Sequence, residues 1–160
     1  IIDFAHTPNA FLQVLPTAKQ ETKHKLIHIF GCAALRDHAK RPIMGFNSAK
    51  YADVIILTEE DYRTENVEEI INQIAGGCMQ ASATELSPND LKQIINSRKT
   101  VFVRIPDRKN AVEFSFLKIA QKGDTLLLTG KAHEKSLCRG NREYPWDEFK
   151  AVKEALRYVN

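Results

Sequence analysis

The sequence predicts an α/β fold: a doubly wound, mostly parallel sheet with helices on both faces, Rossmann-like, within a single domain. The length of 160 residues suits one compact domain that buries its own core. Short, almost continuously apolar runs alternate along the chain with segments of helical periodicity. Such runs are typical of strands buried on both faces, and their alternation with helices indicates βαβ units.

Five apolar runs are predicted to be strands, because each is dominated by Ile, Leu, Val or Phe. They span Ile1–Phe4, Leu26–Phe30, Asp53–Thr58, Thr100–Ile105 and Asp124–Thr129. Natural chains rarely begin inside a strand. The strand at Ile1 therefore predicts that the sequence is a fragment of a longer protein.

Helical periodicity fills the intervals between these runs. The first helix carries Phe11, Val14, Leu15 and Ala18, and Pro16 is expected to kink or end it near Leu15.

Later helices are expected to begin at Asn66, Asp107 and Asp147, which are good N-cap residues. The first of these should stop at Gly76-Gly77 and the second before Gly123. Their apolar positions are Val67, Ile70, Ile71 and Ile74; Val112, Phe114, Leu117 and Ala120; and Phe149, Val152, Leu156 and Val159. Residues 78–99 are predicted to be a loop with a short helix around Asp90–Ile95.

Composition and charge narrow the function classes. The chain is 43% hydrophobic and 27% charged, as in an ordinary soluble domain, with a net charge of +3. This charge suits anionic phosphates or carboxylates but lacks the dense basic stripe of nucleic-acid-binding proteins. No apolar run approaches the ~20 residues of a membrane span, and the N-terminus lacks a signal-peptide pattern. A reducing cytoplasm, rather than a disulfide framework, is predicted from the wide spacing of Cys32, Cys78 and Cys138.

Polar segments follow four of the predicted strands and indicate where a site would lie. They are Ala5–Pro8, Gly31–Asp37, Glu59–Arg63 and Gly130–Glu134. Open α/β sheets bind ligands beyond the carboxyl ends of their strands, so these segments are expected to meet at one edge.

Two of these segments have both a functional and a structural interpretation. His6 could stack on or hydrogen-bond a nucleotide; alternatively, Thr7 caps a helix and Pro8 takes its first position. The charged side chains after the second strand suit carboxylate or phosphate recognition, or they form a solvated loop. They are Arg36, Asp37, Lys40 and Arg41.

The third segment, Glu59–Arg63, offers acceptors for an amino group beside a donor for a carboxylate, a pairing that matches a zwitterionic amino acid. Alternatively, Arg63 forms a local ion pair with Glu59 or Glu65.

The fourth segment, Gly130–Glu134, is not a P-loop, because the full pattern occurs nowhere in the chain. Gly130 would allow close backbone approach to a ligand, and Glu134 could accept from an ammonium group; a turn with an exposed acid is the alternative. No zinc pattern or activated nucleophile is predicted from His6, His38, His133 and Cys32.

Taken in order, these segments resemble the C-terminal domain of the Mur ligase family. Asp3–Pro8 resembles D-Y-A-H-T-P, and Gly31–Asp37 followed by Lys40–Gly45 resembles G-C-G-G-x-R-D…K-R-P-x-M-G. Glu60–Arg63 falls where the members that add the third amino acid carry D-N-P-R, a diaminopimelate-recognition motif. Gly130–Glu134 resembles G-K-G-H-E, and Tyr144–Asp147 resembles the aromatic-Asp stretch that closes the family pattern.

The resemblance implies an ATP-dependent ligase that uses Mg²⁺ and joins an amino acid to a UDP-muramyl dipeptide through an acyl phosphate. Residues 1–160 would be the C-terminal domain, without the UDP-binding and central ATPase domains, and inactive alone. No catalytic residue or metal ligand is expected within it. The implied substrate-binding residues are Arg36, Glu60, Asp61, Tyr62, Arg63, Gly130 and Glu134, and the implied nucleotide-binding residues are Asp3 and His6.

Departures from the family pattern leave the amino acid open. Tyr62 replaces proline and Asp61 replaces asparagine, and Ala33, Ala34 and Ala132 replace glycines. The more acidic segment is compatible with diaminopimelate, lysine or another diamino acid. The alternatives are a free-standing or divergent binding module without ligase activity and a folylpolyglutamate-type ligase domain.

Overall fold

A parallel β-sheet forms the centre of the computed structural model, which describes residues 1–158. Its strands are β1 (Ile2–Asp3), β2 (Leu26–Phe30), β3 (Val54–Leu57), β4 (Thr84–Glu85), β5 (Val101–Arg104) and β6 (Thr125–Thr129). The order is β1-β6-β2-β3-β5-β4, with parallel pairing throughout. The predicted doubly wound parallel sheet is confirmed.

Helices cover both faces of this sheet. They are α1 (Pro8–Glu21), α2 (Lys40–Tyr51), α3 (Val67–Gln80), α4 (Leu91–Asn96), α5 (Arg108–Phe114), which continues as a π-helical turn over Ser115–Ile119, and α6 (Glu148–Leu156). One hydrophobic core joins α1, α2 and α3 to the sheet, and a second core joins α4, α5 and α6 to its other face. Val159 lies outside the described residues.

The strand residues are apolar on both faces because each face covers a separate core. Along β2, Leu26 and Phe30 belong to the core beneath α1–α3, whereas Ile27 and Ile29 belong to the core beneath α4–α6. Side chains alternate between the faces of a strand, so a run that is almost entirely apolar fills both cores.

The predicted helix starts are confirmed by their capping contacts. Thr7 accepts a hydrogen bond from the amide of Ala10 at 3.2 Å, and Pro8 occupies the first turn. Asn66, Asp107 and Asp147 each accept an amide hydrogen bond at the start of α3, α5 and α6. Satisfying these otherwise unpaired N–H groups is what makes such residues effective helix starts.

The expectation that α1 ends near Leu15 is wrong, because the helix continues through Pro16 to Glu21. Proline removes one helical N–H and strains the preceding turn. Phe11, Leu15 and Ala18 are buried on either side of Pro16. Burial of this apolar stripe outweighs the local cost of the proline.

The expected stop at Gly76-Gly77 is also wrong, because α3 runs through both residues to Gln80. A Cβ at Gly77 would overlap the carbonyl of Pro42 in α2, and a Cβ at Gly45 would overlap the carbonyl of Ile74 in α3. Gly77 and Gly45 therefore allow the two helices to pack at close range.

Besides the short strand β4, which lies in the segment 78–99 that was expected to be a loop with a short helix, two elements were not predicted. Helix α2 buries small and polar residues, including Gly45 and Ser48, and its N-cap Ala39 makes no side-chain capping bond, so neither periodicity nor a cap marks it. The second element is an antiparallel hairpin, which pairs β7 (Ser136–Arg139) with β8 (Arg142–Pro145).

Candidate functional site

A cleft of about 590 Å³ opens at the carboxyl edge of the sheet. The four predicted polar segments all contribute to its lining, which confirms that they meet at one edge. Its lining includes His6, Ala33, Arg36, Lys40, Glu60, Asp61, Arg63, Gly130 and Glu134.

Two arginines in this lining keep their charges available. Arg36 is exposed, and within residues 1–158 neither Arg36 nor Arg63 forms an ion pair. Among the described residues, the hydrogen-bond contact of the Arg63 guanidinium is to the sulfur of Cys138, a weak acceptor, at 3.6 Å. The cleft therefore offers two guanidinium groups to an anionic ligand.

The backbone of Arg63 is fixed by the hairpin. Its N–H donates to the carbonyl of Cys138 at 3.0 Å, and its carbonyl accepts from the N–H of Gly140 at 2.7 Å. These bonds hold Arg63 at a φ of 45°, a left-handed conformation that is uncommon for a non-glycine residue.

The local ion pair considered for Arg63 does not form, because both carboxylates are bound elsewhere. Glu59 is buried and accepts hydrogen bonds from the Arg108 amide at 3.0 Å and the Arg139 guanidinium at 2.9 Å. Glu65 lies 2.9 Å from the buried guanidinium of Arg41. The pKa of Glu65 is lowered by the backbone hydrogen bond from Leu35 and by Arg41.

Glu60 is a buried acid of the cleft wall, only 7% exposed. Its Oε2 has no hydrogen-bond partner in the part of the chain that the structure describes. Burial raises the pKa of Glu60, although the charges of Arg108, Lys40 and Lys131 oppose the shift. A buried carboxylate oxygen without a partner is costly, so this side chain is suited to accept a ligand's ammonium group.

Gly130 stands directly against this acid. Its φ is +104°, and a Cβ there would lie 2.9 Å from Glu60 Oε2. Both the backbone conformation and the close approach therefore require glycine.

The other two predicted acids are held by a lysine that sequence reasoning missed. The ammonium of Lys131, 1% exposed, lies 2.8 Å from Asp61 and 2.6 Å from Glu134. Burial opposes the charged form, but these hydrogen bonds outweigh it, and the pKa of Lys131 is raised. Asp61 also accepts from the amide of Cys138 at 3.0 Å. The spacing of Lys131 and Glu134, three residues apart, was the available signal.

Two predicted site residues lie outside the cleft lining. Tyr62 packs against the core beneath α1–α3. Asp3 accepts a hydrogen bond from the amide of Ala5 at 2.7 Å and lines a separate groove beside α1.

His6 lies at the β1 end of the cleft in a small aromatic cluster. Its ring centroid is 4.7 Å from that of Phe4, which is 4.6 Å from that of His133. His6 Nδ1 lies 2.8 Å from the carbonyl of Phe4, and Lys40 donates to the carbonyl of His6 at 2.9 Å. These partly exposed rings provide a surface on which a nucleotide base can stack.

A buried ion pair supports the loops from beneath. Arg108 and Glu148 are fully buried, with nitrogen and oxygen 2.6 Å apart. Arg108 also donates to the carbonyls of Thr129 at 2.9 Å and Glu59 at 3.2 Å. It therefore ties the end of β6 to the segment after β3, and no local pattern in the sequence indicated this long-range contact.

No cluster of three or more His, Cys, Asp or Glu side chains suited to a metal ion occurs among residues 1–158. In the same part of the chain, no helix is long and apolar enough to cross a membrane.

Comparisons with known proteins bear on the family and the fold. The family "Mur ligase, glutamate ligase domain" matches residues 1–132. A UDP-N-acetylmuramyl-tripeptide synthetase of Borreliella afzelii is 40% identical over 156 residues, 98% of this chain and 28% of the relative. A UDP-N-acetylmuramoyl-L-alanyl-D-glutamate--2,6-diaminopimelate ligase of Caldanaerobacter subterraneus is 37% identical over 155 residues, 97% of this chain and 28% of the relative.

A solved structure of a UDP-N-acetylmuramoyl-L-alanyl-D-glutamate--2,6-diaminopimelate ligase has the same fold, with a TM-score of 0.79 and 31% identity. The similarity covers 98% of this chain and 28% of that one. The chain thus spans little more than a quarter of the length of these relatives. With its parallel sheet and with most of its length matched, the chain belongs to the Mur ligase family, as the glutamate ligase domain.

Proposed function

We propose that this chain is the C-terminal, amino-acid-binding domain of an ATP-dependent ligase that adds the third amino acid to a UDP-N-acetylmuramyl dipeptide. In this proposal the rest of the protein supplies a UDP-binding domain and a central domain for ATP and Mg²⁺, and the enzyme works in the cytoplasm. The observation that supports this proposal is the composition of the cleft. Among the described residues, Arg36 and Arg63 form no ion pair, and Glu60 has a carboxylate oxygen without a hydrogen-bond partner.

These three groups complement an amino acid with more than one carboxylate. The two guanidinium groups can each bind a carboxylate in a bidentate manner. Glu60 can accept from the α-ammonium or from a second amino group, since its unpartnered Oε2 lies beside Gly130. The names of the relatives, which include 2,6-diaminopimelate ligases, support the same class of substrate.

The contribution of this domain to the reaction is positioning. ATP supplies the phosphoryl group that activates the carboxylate of the muramyl peptide. His6 and Phe4 would contact the nucleotide, and the arginines would hold the amino acid so that its amine faces the activated carboxyl. The described residues offer no cluster suited to Mg²⁺, so in this proposal the metal is bound elsewhere in the protein.

The test is amide formation by the full-length protein with Arg63→Lys. Lysine keeps the charge but loses the planar fork, and a lost charge-assisted bond costs about 1.5–3 kcal/mol. The Michaelis constant for the amino acid should therefore rise about ten- to a hundredfold, with little change for ATP.

The matched control is Arg142→Lys, because Arg142 is an exposed arginine of the hairpin that does not line the cleft. The control should leave both constants unchanged. An Arg63→Lys enzyme within about twofold of the parent for the amino acid would contradict the proposed site. A parent protein that forms no amide would instead favour a binding module without ligase activity.

A further inference from the structure

We propose that Lys131 determines the charge specificity of the cleft by serving as an internal counter-ion. Its single charge offsets one of the two negative charges of Asp61 and Glu134, so that the cleft favours an amino acid with a second carboxylate over one whose side chain carries only an ammonium group. The proposal rests on the amino-acid-binding function given above and adds a residue that does not touch the ligand.

Lys131 is buried between two acids of the cleft. The Lys131 side chain is 1% exposed, and its ammonium lies between Asp61 Oδ1 at 2.8 Å and Glu134 Oε2 at 2.6 Å. At least two of its three N–H groups are therefore used within the protein. Lys131 acts on a ligand through its two partners.

The ion pairs of Lys131 change the charge that the cleft presents to a ligand. Asp61 is 17% and Glu134 38% exposed, and both line the cleft, but the charge of Lys131 offsets one of their two negative charges. Asp61 is further engaged by the amide of Cys138. Glu60, which lines the same cleft as Arg36 and Arg63, has a buried oxygen without a hydrogen-bond partner among the described residues.

The charge of the cleft determines which amino acids it favours. Among the described residues, the cleft lining holds three cations without an ion pair, Arg36, Lys40 and Arg63, and two such acids, Asp37 and Glu60. This excess of one positive charge suits the second carboxylate of a ligand. Without the lysine charge, the net charge of Asp61 and Glu134 would change from one negative charge to two, which suits a second ammonium group and repels a second carboxylate. Removing Lys131 should therefore change the preference between substrates, beyond any general loss of activity.

The experiment compares meso-2,6-diaminopimelate with L-lysine as substrates of the full-length protein. For Lys131→Met, the ratio of kcat/KM for diaminopimelate to that for lysine should fall about tenfold. The reason is that both acids lose their internal partner.

A second variant moves the same ratio in the opposite direction. Glu134→Gln leaves Lys131 paired with Asp61 alone, a pair without net charge, so the cleft wall loses one negative charge. The ratio should therefore rise several-fold in favour of diaminopimelate. Because the Glu134 side chain is partly exposed, this variant keeps the proposal testable even if Lys131→Met does not fold.

The matched control is Lys135→Met, which removes an exposed lysine paired with Asp147 at 2.7 Å outside the cleft lining. It should leave the ratio unchanged. Equal losses for both amino acids in Lys131→Met and Glu134→Gln, with the ratio unmoved, would overturn the role of Lys131 while leaving the proposed function intact. A parent that forms no amide with either amino acid would overturn the proposed function, and the specificity role with it.

Discussion

Gly76 and Gly77 are neighbours in α3, yet the structure places them in opposite surroundings. A Cβ at Gly77 would lie 2.6 Å from the carbonyl carbon of Pro42 and 2.8 Å from its Cα, and it would overlap the carbonyl oxygen. A Cβ at Gly76 would meet nothing within 4 Å. Alanine at the two positions should therefore have effects of opposite sign.

Two contributions determine the change in the free energy of unfolding: helix propensity and overpacking. Replacing a helical glycine with alanine stabilises a helix by about 0.8–1.0 kcal/mol, and at Gly76 this is the expected gain. At Gly77 the overlap is with backbone atoms, which cannot rotate away as a side chain can. Overpacking costs about 1–3 kcal/mol, and the overlap with rigid backbone atoms places Gly77 at the upper end. After the gain of about 1 kcal/mol from helix propensity, Gly77→Ala should lower the free energy of unfolding by about 2 kcal/mol net.

The assay is urea unfolding of the chain, followed by far-ultraviolet circular dichroism. With a slope near 2 kcal/mol per molar urea, the midpoint should fall by about 1 M for Gly77→Ala and rise by about 0.5 M for Gly76→Ala. Equal midpoints for the two variants would refute the inference that α2 and α3 are in backbone contact at Gly77.

Three further predictions follow from buried or strained groups. Arg108→Met leaves the buried Glu148 carboxylate without its partner and should cost about 3–5 kcal/mol in urea unfolding, part of which Glu148→Leu should restore in the double variant. Burial, aided by Arg108, lowers the pKa of His28 to about 3. The unfolded chain binds this proton near pH 6.5, so stability should fall by up to about 1.4 kcal/mol per pH unit from there toward pH 3. His28→Gln should flatten that part of the stability profile measured by urea unfolding. Gly130→Ala strains a φ of +104° and approaches Glu60, so the full-length protein should show a higher KM for its amino acid, by about tenfold, whereas an unchanged KM would count against this part of the cleft.

Local signals in the sequence were sufficient for the main architecture. The continuous apolar runs predicted the buried strands β2, β3, β5 and β6, because each strand supplies side chains to both cores. Cap residues such as Asn66 and Asp147 predicted helix starts because their effect depends on amides two or three residues away. The ordered motifs also indicated the family and the edge of the sheet where the cleft lies.

Local signals failed where a distant element outweighs local preference. Pro16 and Gly77 each predict the end of a helix when only their own segments are considered. At Pro16 the helix continues because its apolar residues are buried, and at Gly77 it continues because glycine allows backbone contact with α2. Helix α2 was missed because its buried side chains include polar and small ones that only their tertiary partners satisfy.

The composition of the cleft, with its acids and arginines, was readable from the sequence by itself, since residue types at the carboxyl ends of parallel strands must meet. Which of these charges remain for a ligand was decided only by the tertiary structure. Lys131 forms ion pairs with Asp61 and Glu134, whereas Glu60 has an oxygen without a hydrogen-bond partner among the described residues. The physical reason is that a charge is neutralised by whatever lies within a few ångströms of it, and residues 61 and 131 are brought to that distance by folding alone.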